Sequence, residues 1–280
     1  MADFEKKVAF AIKLLQSIPI DEGPVEIAYS TGKDSDVILE LAKMSGIAYE
    51  AIYKNTTVDR PGSIRHAREM GATIINPEKN LLQLIALHGW PTRWRRFCCK
   101  YLKEYKVKDR AVHGIRRSES TARAGRYKEP EVCRVYSKKD KVRVYLPILE
   151  WTDEDVERFI RERGLKCHMY YYDAEGNFCV KKRVGCLGCP MQTDNGIGDF
   201  KQYPYMFKAR LRAFKVWYDS HPDSKTARTF PDVYHFAYMK LFCHDMGEYY
   251  NVFGEGQLFG NEMPTAKQFL EDYFKIDLTL

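Results

Sequence analysis

Two groups of residues in this 280-residue chain have the types and spacing to do chemistry. The first is the run Tyr29-Ser30-Thr31-Gly32-Lys33-Asp34-Ser35. Its small residues let consecutive backbone N–H groups converge on an anion, and a helix starting there adds its dipole. Lys33 contributes a point charge, and Ser30 and Ser35 contribute hydroxyl donors. The run is not a Gly-x-x-x-x-Gly-Lys-Ser/Thr loop, yet a Ser-x-Gly-Lys-Asp-Ser turn directly after a hydrophobic strand points to nucleotide phosphates. The second group is sulfur. Cys98 and Cys99 are adjacent, and Cys186 and Cys189 form Gly185-Cys186-Leu187-Gly188-Cys189-Pro190. A Cys-x-x-Cys turn presents two thiolates to one centre, and four thiolates in two pairs suit a [4Fe–4S] cluster or a tetrahedral zinc. Adjacent ligands are strained, so Cys179 is an alternative to Cys98 or Cys99. Cys133, Cys167 and Cys243 have no partner at ligand spacing and read as buried or incidental.

These groups need elements to hold them. Apolar residues at helical spacing (Phe4, Val8, Ile12, Leu15) predict a helix over 4–18, broken by Asp21-Glu22-Gly23-Pro24. Val25–Tyr29 reads as a buried strand, Asp36–Met44 as a helix ending near Gly46, and Ile47–Tyr53 as a second strand. Pro61 opens a helix running to Met70, Ala72–Ile75 is a third strand, and Leu81–His88 is a short helix. Val112–Ile115 reads as a strand entering a loop, Arg116–Lys141 as polar loop, and Val142–Leu146 as a strand. Thr152 caps a helix that ends at Gly164. Alternating strands and helices predict an α/β fold, a doubly wound, mostly parallel sheet. Helical, aromatic patterns over 203–218 and 231–249 predict a helical C-terminal appendage. The expected division is a nucleotide-binding domain over 1–195, carrying the cysteines, and a helical extension over 196–280. The aromatics Tyr203, Tyr205, Phe207, Trp217 and Tyr218 read as core packing, as does Trp151.

Composition agrees with a globular chain: 45% hydrophobic and 30% charged residues. No apolar run has the length a membrane span requires, and the N-terminus does not resemble a signal peptide. These features predict a cytoplasmic protein, and eight cysteines there suggest metal or redox chemistry rather than disulfides. A net charge of +7 suits an anionic substrate. The basic stretches 93–108 and 116–143 would also suit a nucleic acid.

The loop at 29–35 resembles the PP-loop of the adenine nucleotide α-hydrolase-like superfamily. The usual pattern there is Ser-Gly-Gly-x-Asp-Ser, with Thr31 here in place of the first glycine. His113-Gly114-Ile115-Arg116-Arg117-Ser118-Glu119-Ser120-Thr121-Ala122-Arg123 resembles the Gly-x-Arg-x-x-(Glu/Gln)-Ser-x-x-Arg segment of the phosphoadenosine phosphosulfate reductase family. Pro147-Ile148-Leu149-Glu150-Trp151-Thr152-Asp153-Glu154-Asp155-Val156 is similar to that family's Pro-Ile-x-x-Trp-Thr-x-x-Asp-Val signature, and Thr56–Pro61 occupies the place of its Asp-Thr-x-x-x-x-Pro stretch. The resemblance covers residues 25 to about 195. The cysteine layout resembles the cluster-binding members, the adenylylsulfate reductases and the ATPases of DNA phosphorothioate modification.

The resemblance implies a site in which Tyr29–Ser35, Gly114 and Arg116 bind ATP or another adenylyl nucleotide. Lys33, Arg116 and Arg123 would stabilise charge during catalysis, with Mg²⁺ on the phosphates. Cys98, Cys99, Cys186 and Cys189 would hold a [4Fe–4S] cluster. It implies a thioredoxin-like thiol donor or a cysteine desulfurase as partner, and a homo-oligomer. One departure matters. Sulfonucleotide reductases use a cysteine in a Glu-Cys-Gly-(Leu/Ile)-His motif as nucleophile, and no such run occurs here. Three readings follow: an ATP-using sulfur-transfer enzyme, a sulfonucleotide reductase, or a nucleotide-sensing subunit of a nucleic-acid modification or defence complex. Cys243, in an aromatic helical pattern, reads as structural.

Overall fold

The computed structural model describes residues 2–19, 21, 23–105, 108–135, 141–254 and 264–280. Its elements are, in chain order, α1 (Ala2–Gln16), β1 (Val25–Tyr29), α2 (Lys33–Ser45), β2 (Tyr49–Lys54), α3 (Ser63–Glu69), β3 (Thr73–Ile75), α4 (Leu81–His88), α5 (Phe97–Leu102), β4 (Arg110–Val112), α6 (Thr121–Arg126), β5 (Glu131–Val135), β6 (Lys141–Tyr145) and α7 (Asp153–Arg163). Then come α8 (Ile197–Gln202), α9 (Pro204–Ser220), α10 (Lys225–Thr229), α11 (Val233–Phe242), α12 (Met246–Phe253) and α13 (Ala266–Phe274). The architecture is the predicted one, a doubly wound, mostly parallel α/β sheet with substantial helical content towards the C-terminus. No helix among the described residues is long and apolar enough to cross a membrane.

Residues 1–77 and 102–185 form one compact unit, and residues 78–101 and 186–280 form another. In the first, six strands lie in the order β3-β2-β1-β4-β6-β5. All pairs are parallel except β5 with β6. From β1 the chain builds outward through β2 and β3, then returns to place β4 on the other flank of β1. The strand order thus reverses between β1 and β4, and the crevice outside the carboxyl ends of two such strands is where open α/β sheets bind ligands. The segments leaving those ends carry Ser30–Lys33 and His113–Arg116. The central strands β1 and β4 are short and buried along nearly their whole length, as expected where both sheet faces are covered: Val25, Ile27, Tyr29, Ala111 and Val112 are buried.

The helices begin and end where local chemistry requires. The Thr152 hydroxyl accepts from the Asp155 N–H while Asp155 reaches back, a capping box on α7, and Gly164 closes it at φ 61°. Phe4 of α1 packs on Trp151, and Trp151 on Phe159, so Trp151 is core as predicted. Several predicted bounds differ, among them β4, which ends at Val112 rather than Ile115. Helix α3 starts at Ser63, not Pro61, because Gly62 takes a left-handed φ of 93° and interrupts the turn. The expected polar loop after Arg116 contains a 3-10 turn at Arg117–Glu119, then α6 and β5. Ser120 caps α6, and β5 alternates exposed and half-buried residues, an edge strand that its charged residues disguise in the sequence. Residues 136–140 of that stretch lie outside the described residues, as do 106–107 of the basic stretch after Arg93 and residue 22 of the first break.

The second unit is an aromatic helical core. Trp90 meets Phe200, Phe207, Phe214 and Phe236, and Phe207 meets Phe274 at 4.5 Å between ring centroids. Helix α4 lies against α9. Phe207 and Trp217 are buried as expected, but Tyr205 is 80% exposed.

Candidate nucleotide and sulfur sites

The phosphate loop is the strained turn between β1 and α2. Thr31 has φ 61°, the left-handed region that a β-branched residue enters only at a cost. Its side chain is 1% exposed, and its hydroxyl finds no hydrogen-bond partner among the described residues. Gly32 caps α2 without a side chain; its carbonyl accepts from Ser35 N at 2.8 Å, from Asp36 N at 3.0 Å and from Ser35 Oγ at 2.7 Å. The Lys33 N–H donates to the Tyr171 hydroxyl at 3.0 Å. Ser30 is exposed and donates to Ser35 Oγ at 3.4 Å. Tyr29 donates to the buried carboxylate of Asp36, which His66 Nε2 also meets at 3.0 Å. Tyr29 and Asp36 therefore brace the loop from below.

The predicted cations converge on this loop through carboxylates. Lys33 Nζ lies 3.1 Å from Asp34 Oδ2, and Arg116 Nε donates to Asp34 Oδ1 at 2.7 Å. The buried Arg116 guanidinium also donates to Asp153 at 2.7 Å and to Ser118 at 3.0 Å. Its backbone N–H donates to Glu119 at 3.3 Å, and Glu119 pairs with both Arg123 and Arg183. Burial and Arg183 lower the Arg123 pKa. Asp34, predicted within the loop, is the partner of Lys33 and Arg116, whereas Asp153 and Glu119 were not among the predicted site residues, although acids at the start of a helix were a signal. Gly114 explains the tight fit: a Cβ there would sit 2.9 Å from the Asp34 carbonyl oxygen. Next to it, His113 Nε2 is buried without a hydrogen-bond partner among the described residues. Burial first, then the positive Arg134 and Lys54, push its pKa down to about 3.

The four predicted sulfur ligands all belong to the second unit. None of the eight cysteines is in a disulfide. Cys98 and Cys99 sit on α5, and the Cys98 thiol pKa is raised by its hydrogen bond with Cys99, by burial and by the neighbouring Cys99, Cys186 and Cys189. Thiols packed this way resist ionising together unless positive charge joins them. No three His, Cys, Asp or Glu side chains among the described residues converge closely enough to chelate a single ion; a four-iron cube keeps its ligand sulfurs apart, one per corner. Cys179 belongs to the other unit. Cys133 is exposed, Cys167 buried, and Cys243 caps the end of α11.

A residue absent from the sequence pattern organises this site. Arg210 of α9 is 2% exposed and donates to the carbonyls of Leu187 and, at 2.7 Å, Gly188, the two residues between Cys186 and Cys189. Burial lowers its pKa to about 10, against the opposing pull of Cys186, Cys98, Cys189 and Asp199. The loop is closed by backbone contact. Gly188 has φ 58° and a Cβ there would meet Phe200 at 2.4 Å, while one on Gly196 would meet the Gly188 Cα at 2.6 Å. Asp199 accepts from Gly188 N at 2.8 Å and from Gln192 at 2.7 Å. Cys98, Cys186 and Cys189 near a buried cation, with Cys99 beside Cys98, form a set that could hold a cluster of net negative charge.

The family model described as phosphoadenosine phosphosulfate reductase domain matches residues 24–192. A curated relative, described as an uncharacterized 37.8 kDa protein in the gpa 5′ region of Escherichia phage 186, is 32% identical over 131 residues. That match covers 41% of this chain and 36% of the phage protein, about a third of its length. Among solved structures, Candida glabrata FMN adenylyltransferase with FAD and inorganic pyrophosphate is 13% identical with a TM-score of 0.46, covering 67% of this chain and 64% of that one. Phosphoadenylyl-sulfate reductase from Candida auris, a phosphate complex, is 15% identical with a TM-score of 0.39, covering 60% and 87%. The U34-tRNA thiolase NcsA from Methanococcus maripaludis, with its [4Fe–4S] cluster, is 14% identical with a TM-score of 0.41, covering 76% and 78%.

Proposed function

The chain belongs to the phosphoadenosine phosphosulfate reductase domain family, and from that premise we propose that it is an ATP-using enzyme that activates a substrate at the α-phosphate for sulfur transfer. The observation that carries this reading is the convergence of the loop after β1 and the Gly114–Arg116 segment after β4 at the reversal of strand order, with Gly114 packed on Asp34. The triphosphate would lie over the N–H groups that open α2, where the helix dipole favours negative charge. Lys33 is the direct phosphate partner, exchanging Asp34 for a phosphate oxygen. Arg116 and Arg123 act through carboxylates, holding Asp34 and Glu119 in place.

In the proposed reaction an oxygen nucleophile of the acceptor attacks the α-phosphorus. The bond from that phosphorus to the bridging oxygen breaks, and pyrophosphate leaves with its charge offset by Lys33; a phosphate-bound Mg²⁺ would supply further charge neutralisation. Cys98, Cys99, Cys186 and Cys189 would hold a [4Fe–4S] cluster, whose chemistry is to carry or activate sulfur for the second half-reaction. Arg210 fixes the carbonyls of the Cys186–Cys189 loop and offsets thiolate charge. A thioredoxin-like thiol donor or a cysteine desulfurase is the proposed sulfur-side partner.

The family description favours a second reading, reduction of a sulfonucleotide with release of sulfite. Against it, these 280 residues contain no Glu-Cys-Gly-(Leu/Ile)-His run. Anaerobically purified protein separates the two. The sulfur-transfer reading expects about four irons and four acid-labile sulfides per chain, and no sulfite from adenylylsulfate or phosphoadenylylsulfate with thiol present. Thiol-dependent sulfite release would establish the reductase instead, and an iron-free chain would remove the cluster assignment.

A further inference from the structure

Aromatic side chains stabilise a fold when they are buried. Trp90, Trp151 and Trp217 follow that rule, at 7%, 1% and 8% exposed. Trp94, the remaining tryptophan of the four, is 98% exposed. Its position is built. The Thr92 N–H donates to the Arg95 carbonyl at 3.3 Å, and the Arg95 N–H donates to the Thr92 hydroxyl at 3.0 Å. These bonds close a turn with Trp94 at its outer side. The turn is tied to both halves of the cysteine site. Arg93 donates to the Gln192 carbonyl at 2.7 Å, and Arg96 lies 3.4 Å from the Cys99 sulfur.

The charge along the chain on either side of it has one sign. From Lys79 to Lys103 the sequence carries Lys79, Arg93, Arg95, Arg96, Lys100 and Lys103, with no Asp or Glu. Arg93, Arg95 and Arg96 are exposed. A guanidinium has five N–H donors, so the bond from Arg93 to the Gln192 carbonyl does not use all of them. A fully exposed indole among guanidinium groups is the combination that holds a nucleic-acid strand by stacking one base and pairing the neighbouring phosphates. Stacking on one indole requires a base outside a duplex, and folded RNA displays such bases in loops.

We propose that the Thr92–Arg96 turn docks single-stranded RNA, with an unpaired base stacked on Trp94 and the flanking phosphates on Arg93, Arg95 and Arg96. The proposal rests on the sulfur-transfer reading only in making that strand the acceptor; the docking itself needs neither nucleotide nor cluster.

Binding of a labelled RNA hairpin with an unpaired loop, measured by fluorescence anisotropy on the full chain without ATP, tests it. Trp94→Ala should weaken binding about tenfold, the scale of one lost base stack. Trp94→Phe should recover part of the loss. The double variant Arg93→Ala with Arg95→Ala should weaken binding and flatten its salt dependence. Fully paired RNA should bind more weakly than the hairpin. Thermal melting confirms folding, which an exposed indole does not control. Affinity for the hairpin within twofold of wild type in Trp94→Ala, equal binding of the duplex, or tighter binding of a single-stranded DNA of the same sequence would each overturn the proposal. Because the assay omits ATP, loss of ATP turnover in the wild-type chain would sink the sulfur-transfer reading while leaving this result intact.

Discussion

Thr31 concentrates the tension between folding and function in this chain. A left-handed threonine costs about 1–2 kcal/mol, and its buried hydroxyl is without a hydrogen-bond partner among the described residues. Thr31→Gly removes both and gives some stability back through the freer unfolded glycine. The net expectation is a gain of about 1 kcal/mol, seen as a melting temperature roughly 2–4 °C higher; an unchanged or lower value would show that the loop conformation is not strained. At this scale the sequence was legible for side chains that announce their chemistry. The Ser-x-Gly-Lys-Asp-Ser run, Gly114 and Arg116 do meet in one place. Arg210 was not legible. It lies in an amphipathic aromatic helix, where an arginine ordinarily faces water, and nothing local marks it as buried against two carbonyls far along the chain.

Elements show the same division between local and distant causes. Helices with their own punctuation were readable: α4, with its Asn80–Gln83 capping box, spans Leu81–His88 as predicted, and α7 runs from the Thr152 cap to Gly164. Helix α5 was missed because Arg-Arg-Phe-Cys-Cys-Lys shows no apolar period, and its formation depends on the unit around it. Strand β5 was missed because an edge strand with charged exposed positions reads as polar loop. The end of β4 supports a pH prediction. His113 is held neutral, its pKa lowered from 6.5 to about 3 by burial and the facing Arg134 and Lys54. The unfolded chain binds that proton more readily, so stability is complete above pH 6.5 and falls as pH drops towards 3. His168, also lowered chiefly by burial, acts in the same direction. His113→Gln should therefore flatten, without abolishing, the fall in melting temperature between pH 7 and pH 4.5. An unaltered slope would show that His113 is not the titrating group.

Across the whole molecule, two compact units interrupt one another in sequence. Residues 78–101 leave the sheet unit to join the C-terminal helices, and this gathers Cys98 and Cys99 into the same unit as Cys186 and Cys189. The two-pair layout had already grouped the four cysteines, but the unit that holds them was not readable, because it depends on which helices pack together rather than on any local signal. The parallel sheet was readable, because strand–helix alternation leaves few topologies. The activity proposed for this chain is cleavage of ATP at the α-phosphate, and the products of ATP incubated with the anaerobically purified protein and Mg²⁺ test it most directly. Pyrophosphate release matched by adenylate recovered as AMP or bound to the acceptor, both lost in Lys33→Ala, is the predicted result. ADP and phosphate, or no pyrophosphate with or without RNA present, would contradict it.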